Sequence, residues 1–219
     1  FVQTYDPKPR RRLWEVMKSQ GMQENQQVVF LSDGGEDIRQ VREYLHPNSE
    51  HVIDWFHITM RLTVLQQQTK ALQEAPPGKS GASKRLESVK HLLWHGNVEG
   101  ALERLNHLLI DLELTGIPSV PAEKLAAGVS EFETYIRNNQ DSIPNYGERY
   151  RQGETISTAF VESTIHQVVS RRFVKRQQMH WTLRGAHLLL QTRTKVLNNE
   201  LEEVFRQWYP RFRVQAKAA

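Results

Sequence analysis

Cysteine is absent from this 219-residue chain, which excludes disulfides, thiolate nucleophiles and cysteine-based zinc sites. Any metal must therefore be held by Asp, Glu or His. No apolar run approaches the ~20 residues a membrane helix needs. The N-terminus also lacks the basic, apolar and small-residue order of a signal peptide. A soluble, cytoplasmic protein with no membrane association is the expectation. No internal repeat is present, and a net charge of +4 gives no overwhelming field of one sign. The first residue is Phe1 rather than Met, so a piece of a longer protein is expected.

What is present is enough to fold. A hydrophobic content of 38% argues against wholesale disorder, and the length suits one substantial core or two modest ones. Positive charge is gathered in two places, Lys8 with Arg10, Arg11 and Arg12, and Arg171 and Arg172 with Lys175 and Arg176. Basic clusters beside a carboxylate site suit a polyanion. Taken alone, each cluster reads first as a solvated helix face.

The pattern from the N-terminus is strand, helix, strand, helix, strand. Phe1 to Tyr5 alternates bulky and polar residues and is broken by Asp6-Pro7-Lys8-Pro9. From Arg10 to Gln20 the apolar residues Leu13, Val16 and Met17 fall at helical spacing, with Gly21 as the stop. Gln27 to Ser32 is a short buried strand, and Asp33-Gly34-Gly35 is its turn. Glu36 and Asp37 suit the positive end of a helix running to about Leu45, with Ile38, Val41 and Leu45 inward. His46-Pro47 stops it. Ser49 to Asp54 is the second buried strand, so Asp33 and Asp54 stand at the same edge if the two strands are parallel neighbours.

A helix from about His57 to Ala75 follows, then a linker by composition, Ala75 to Ser83. Lys84–Trp94, Val98–Leu112 and Ala122–Asn138 read as amphipathic helices, Asp141 to Ile156 as polar turns, and Thr158 to Arg172 as a helix. The last helix is expected to run unbroken from Thr182 to Trp208. The fold class is thus α/β, a βαβ unit with a large helical insertion, divided as residues 1–75, 76–155 and 156–219. On the Thr158 helix, Glu162 shares a face with Ile165 and Val169, which places the carboxylate toward protein.

Several residues carry two readings. Asp33 serves either as a helix cap or as a metal-binding acid, and Asp54 as a cap for the helix holding His57 or as a ligand. Glu162 reads as an ion-pair partner or as a third acid. Glu87, His91 and His95 recur along one helix face but lack the H-E-x-x-H signature, so an ordinary surface face is preferred. Trp94, Trp181 and Trp208 read as core or interface anchors.

The segment LSDGGEDIRQVREYLHPNSEHVIDWFHITMRLTVL, the later TAFVESTIHQVVSRRFVKRQQMHWT and the FVQTYDPKPRRRLWEVMKSQG start resemble bacterial insertion-sequence transposases of the DDE class, most closely the ISKra family. The resemblance implies an RNase H-like sheet, with Asp33 as the second catalytic acid and Glu162 as the third, both metal ligands for Mg²⁺ or Mn²⁺. It assigns Asp54 and His57 to a supporting D-x-x-H motif related to the C-x-x-H of Mutator-like transposases. Arg171, Arg172, Lys175 and Arg176 would meet DNA, both transposon ends and target, in a homo-oligomer near the bacterial nucleoid. The first catalytic Asp of that family has no match before Asp33, and Asp6 falls at an edge strand. The expectation is an N-terminally shortened catalytic region, inactive alone.

Overall fold

The computed structural model describes residues 8–70, 72, 81–114, 120–173 and 180–211. The expected strand at Phe1 to Tyr5 and the residues Asp6, Lys175 and Arg176 lie outside them. The described residues are 71% helical around a two-stranded parallel sheet, so the class is α/β with a helical bulk. No helix among the described residues is long and apolar enough to cross a membrane. The chain divides into two compact units, residues 17–159 and residues 1–16 with 160–219.

Helix α1 (Pro9–Ser19) ends as its sequence demands. Gly21 takes a φ of +96°, its N–H reaches the Lys18 carbonyl at 3.0 Å, and Met22 N–H reaches Met17 at 3.0 Å. This paired closure is the left-handed glycine stop.

In the larger unit, β1 (Val29–Ser32) and β2 (Glu50–Ile53) pair in parallel, with Val29 opposite Glu50 and Ser32 opposite Ile53. Helix α2 (Glu36–Leu45) joins them. Of its three expected inward residues only Leu45 is buried, and Ile38 is 38% exposed. Two four-residue strands are too small a platform to cover that whole face.

Helix α3 (Trp55–Thr69) begins directly after Asp54 and buries Ile58, Leu62 and Leu65. Helices α4 (Gly81–Trp94), α5 (Val98–Leu114) and α6 (Val120–Asn138) follow. Residues Gly81 to Ser83, expected as linker, are already helical, and Ala82 is buried. Helix α3 touches α4 and α6, and α5 touches α4 and α6, so the four close a bundle. Its core is continuous with the sheet. Leu86, Leu93, Leu105, Leu125, Phe132 and Ile136 belong to one buried cluster with Val52 and Ile53.

The stretch expected as polar turns holds a short helix, α7 (Tyr146–Arg151), capped by Asn145 accepting from Glu148 N–H at 3.1 Å. Tyr146 is fully buried and donates its hydroxyl to the Ile53 carbonyl at 2.7 Å. Its ring lies against Trp55, which also meets Trp94 edge-on. Six residues are too few to show helical periodicity in a sequence.

In the smaller unit, α8 (Ala159–Ile165) runs into a wider π-helical turn, His166–Ser170. Helices α9 (Leu183–Leu197) and α10 (Leu201–Trp208) replace the single helix expected from Thr182. The break is at Asn199, the one described non-glycine residue with positive φ, 58°. Asn tolerates this conformation better than other side chains, and Glu200 N–H closes on the Lys195 carbonyl at 2.9 Å. Arg193 ties α9 to the Gln167 carbonyl at 2.7 Å. None of the described residues of this unit is buried.

Candidate functional site at the sheet edge

Parallel pairing brings Asp33 and Asp54 to the same edge, one residue beyond the paired Ser32 and Ile53. Asp54 N–H extends the ladder to the Ser32 carbonyl at 2.8 Å. The two carboxylates nevertheless have opposite surroundings.

Asp33 is exposed. Its Oδ1 accepts the Gly35 N–H at 3.0 Å, closing an Asx turn, while the α2 cap position is held by Gly35 without side-chain help. The capping alternative is therefore replaced by a turn, and one carboxylate oxygen stays open. Gly34 between them has a φ of +87° and gives its N–H to Ser32 Oγ at 3.1 Å. Asn139, buried, packs against this turn. It donates to the Tyr135 carbonyl at 2.8 Å and accepts from Arg39 at 2.7 Å.

Asp54 is fully buried. Its Oδ1 accepts Phe56 N–H at 2.9 Å, the cap of α3, and Thr158 N–H at 3.1 Å. The Thr158 hydroxyl donates to Oδ2, and His57 Nε2 stands 3.7 Å from the same oxygen. A carboxylate has about four acceptor positions, so little is left for a metal. Between the two sequence alternatives, the structure selects the cap.

Two tyrosines near this edge carry no signal in the sequence. The Tyr135 hydroxyl is buried without a hydrogen-bond partner. Burial pushes its pKa up to about 12; the guanidinium of Arg61, 4.4 Å above the ring, opposes this, and Asp33 and Asp54 add to it. Burial also raises Tyr146 far above its ordinary value. Both hydroxyls stay protonated at neutral pH, as donors rather than bases.

His51, on β2, joins Ser32 on β1 to Ser142 beyond α6. Nε2 meets Ser32 Oγ at 2.8 Å and Nδ1 meets Ser142 Oγ at 3.0 Å. Burial first, then the charges of Arg42 and Arg39, hold its pKa below 6.5. The unfolded chain therefore takes up this proton before the folded one does. Stability from His51 is present above about pH 6.5 and is lost as pH falls from there toward the folded pKa. Urea unfolding at about pH 7.5 and about pH 5.5 should show the acid loss, and His51→Gln should make the profile shallower.

Glu162 lies in α8, in the other unit, and is exposed. Its expected protein-facing stripe is not formed: α8 buries no residue and Ile165 is 45% exposed. The π-helical turn at His166–Ser170 changes the angle per residue, so the i+7 spacing no longer puts Val169 on the face of Glu162. Arg171 and Arg172 are exposed just beyond it. His91 and His95 are exposed at the end of α4. Of the three tryptophans expected as anchors, Trp94 packs on the core, Trp181 meets Phe173 edge-on, and Trp208 is 69% exposed.

Among the described residues no group of three His, Asp or Glu could hold a metal. Asp33 supplies one hard oxygen, Asp54 already accepts three hydrogen bonds, and Glu162 belongs to the other unit. Among the described residues, neither unit by itself brings three such donors together. No family model, no curated protein and no solved structure matches the chain.

Proposed function

We propose that this chain is part of the catalytic region of a DDE-class insertion-sequence transposase of the ISKra type, with an RNase H-like sheet. In this reading Asp33 and Glu162 are two of three catalytic acids, Asp54 and His57 form the supporting D-x-x-H pair, and Arg171, Arg172, Lys175 and Arg176 meet DNA. The observation that carries it is the sheet edge, where a parallel strand pair presents an exposed Asp33 beside a buried Asp54. Open α/β sheets place their sites at this edge. The chemistry is phosphodiester cleavage and strand joining in a bacterial nucleoid, by a homo-oligomer. Through the resemblance alone, Asp33 and Glu162 would help hold Mg²⁺ or Mn²⁺, which would supply activation of a water and charge neutralisation at the leaving oxygen.

Titration calorimetry with Mg²⁺ tests the acids. Asp33→Asn and Glu162→Gln are each expected to weaken binding; a site indifferent to both substitutions sinks the catalytic reading. Binding to short duplexes is expected to weaken steeply between about 50 and 200 mM salt. Replacing Arg171 and Arg172 with Glu should lower the slope of log K against log salt by about two.

A second reading is favoured by one specific observation. Because Asp33 and Glu162 fall in different compact units and no triple of ligands exists among the described residues, the chain also suits a DNA-binding protein without chemistry of its own. Salt-dependent DNA binding with no Asp33- or Glu162-dependent metal site is its signature.

A further inference from the structure

Residues 156–158 are held unusually firmly for the lead-in to a short helix. The Ile156 carbonyl accepts Trp55 N–H at 3.1 Å, and the Ile156 side chain is buried. Thr158 gives its N–H to Asp54 Oδ1 at 3.1 Å and its hydroxyl to Oδ2. Ser157 Oγ then accepts Ala159 N–H at 3.3 Å, where α8 begins. The clasp joins positions 104 residues apart.

We infer that Asp54 is a positioning residue acting through Thr158: it clamps the entry to α8, the helix that carries Glu162, onto the C-terminal end of β2. A cap alone needs one oxygen, for Phe56 N–H. The other bonds of this carboxylate exceed that need, and they go to one residue. Thr158 is suited to the task because it offers two donors from adjacent atoms, matched to the two oxygens of one carboxylate. His57 Nε2, 3.7 Å from Oδ2, backs the clasp from the first turn of α3. The D-x-x-H spacing thereby gains a physical meaning: Asp54 caps the helix that holds His57 and, with the same carboxylate, grips the chain returning from the bundle. The cargo of the clamp, Glu162 as an acid, rests on the transposase reading; the clamp itself does not.

Amide hydrogen exchange on the full chain tests it. In Thr158→Val, exchange over residues 158–162 is expected to rise roughly tenfold while Leu105 and Leu108, on the buried side of α5, stay unchanged. Thr158→Ser, which keeps both donors, should restore slow exchange. A general loss of stability would instead speed both regions together, and that result, or a silent Thr158→Val, overturns the clamp. If exchange behaves as expected but Glu162→Gln leaves Mg²⁺ titration unchanged, the clamp is supported and the acid role of Glu162 is overturned.

Discussion

Asp54→Ala is expected to destabilise the fold by about 3–5 kcal/mol, the sum of a lost helix cap and two stranded donors. The cap of α3 contributes about 1–2 kcal/mol in a partly buried setting. The larger share comes from the Thr158 N–H and hydroxyl, which point at Asp54 from a chain that cannot follow its removal. Thr158 is only partly buried, so each of its two donors left without an acceptor falls at the low end of about 1–3 kcal/mol. Against a typical total of about 5–15 kcal/mol, such a loss should appear as a large drop in the urea midpoint with an unchanged slope. Asp54→Asn keeps one acceptor and should cost about half as much. A near-neutral Asp54→Ala would mean that water replaces the carboxylate without strain, contrary to its complete burial.

Gly34→Ala is the second large effect, at about 3 kcal/mol. A φ of +87° costs a side-chain-bearing residue about 1–2 kcal/mol. The new Cβ would also stand 2.5 Å from Asn139 Oδ1 and 2.9 Å from its Cγ. Asn139 cannot yield cheaply, because Arg39 and the Tyr135 carbonyl hold its amide at both ends. Gly35→Ala is the control. There the φ is −61° and the nearest atom to a Cβ is Asp33 Oδ1 at 3.2 Å, so the cost should stay near about 0.5–1 kcal/mol. Thermal unfolding of the two variants distinguishes them directly. Adding Asn139→Ala to Gly34→Ala should recover part of the loss, since the two residues are in contact and their effects do not add. Equal costs at Gly34 and Gly35 would show that the turn relaxes freely, and that its shape does not define where Asp33 points.

Both predictions concern one turn and one clasp at the same sheet edge, yet their legibility in sequence differs. The Asp33-Gly34-Gly35 turn could be read because its geometry is local: a strand ending in Asp and two glycines before a helix is nearly self-specifying. The clasp could not be read, since Thr158 lies 104 positions from Asp54 and threonine before a helix is ordinary. Tyr146 is similar. Its partner, the Ile53 carbonyl, is 93 positions away, and its helix is too short to betray itself by period. The exposure of Glu162 was missed for another reason. Reading its face with Ile165 and Val169 as inward assumed that an apolar stripe is buried, and α8 buries no residue.

By itself, then, the sequence determined the elements whose causes lie within a few residues. These are the βαβ order, the stop at Gly21, the amphipathic helices of the bundle, and the meeting of two acids at one edge once the strands are parallel. Only the tertiary structure decided what each acid does. Asp33 is left open to solvent because its neighbours satisfy one oxygen and no more, whereas Asp54 is enclosed by the Phe56 N–H and by two donors of Thr158, which follows the bundle in the chain. Chemical identity and helix or strand position were the same in kind for both residues. Their difference arises from burial and from partners distant in the chain, and those are fixed only when the helices pack.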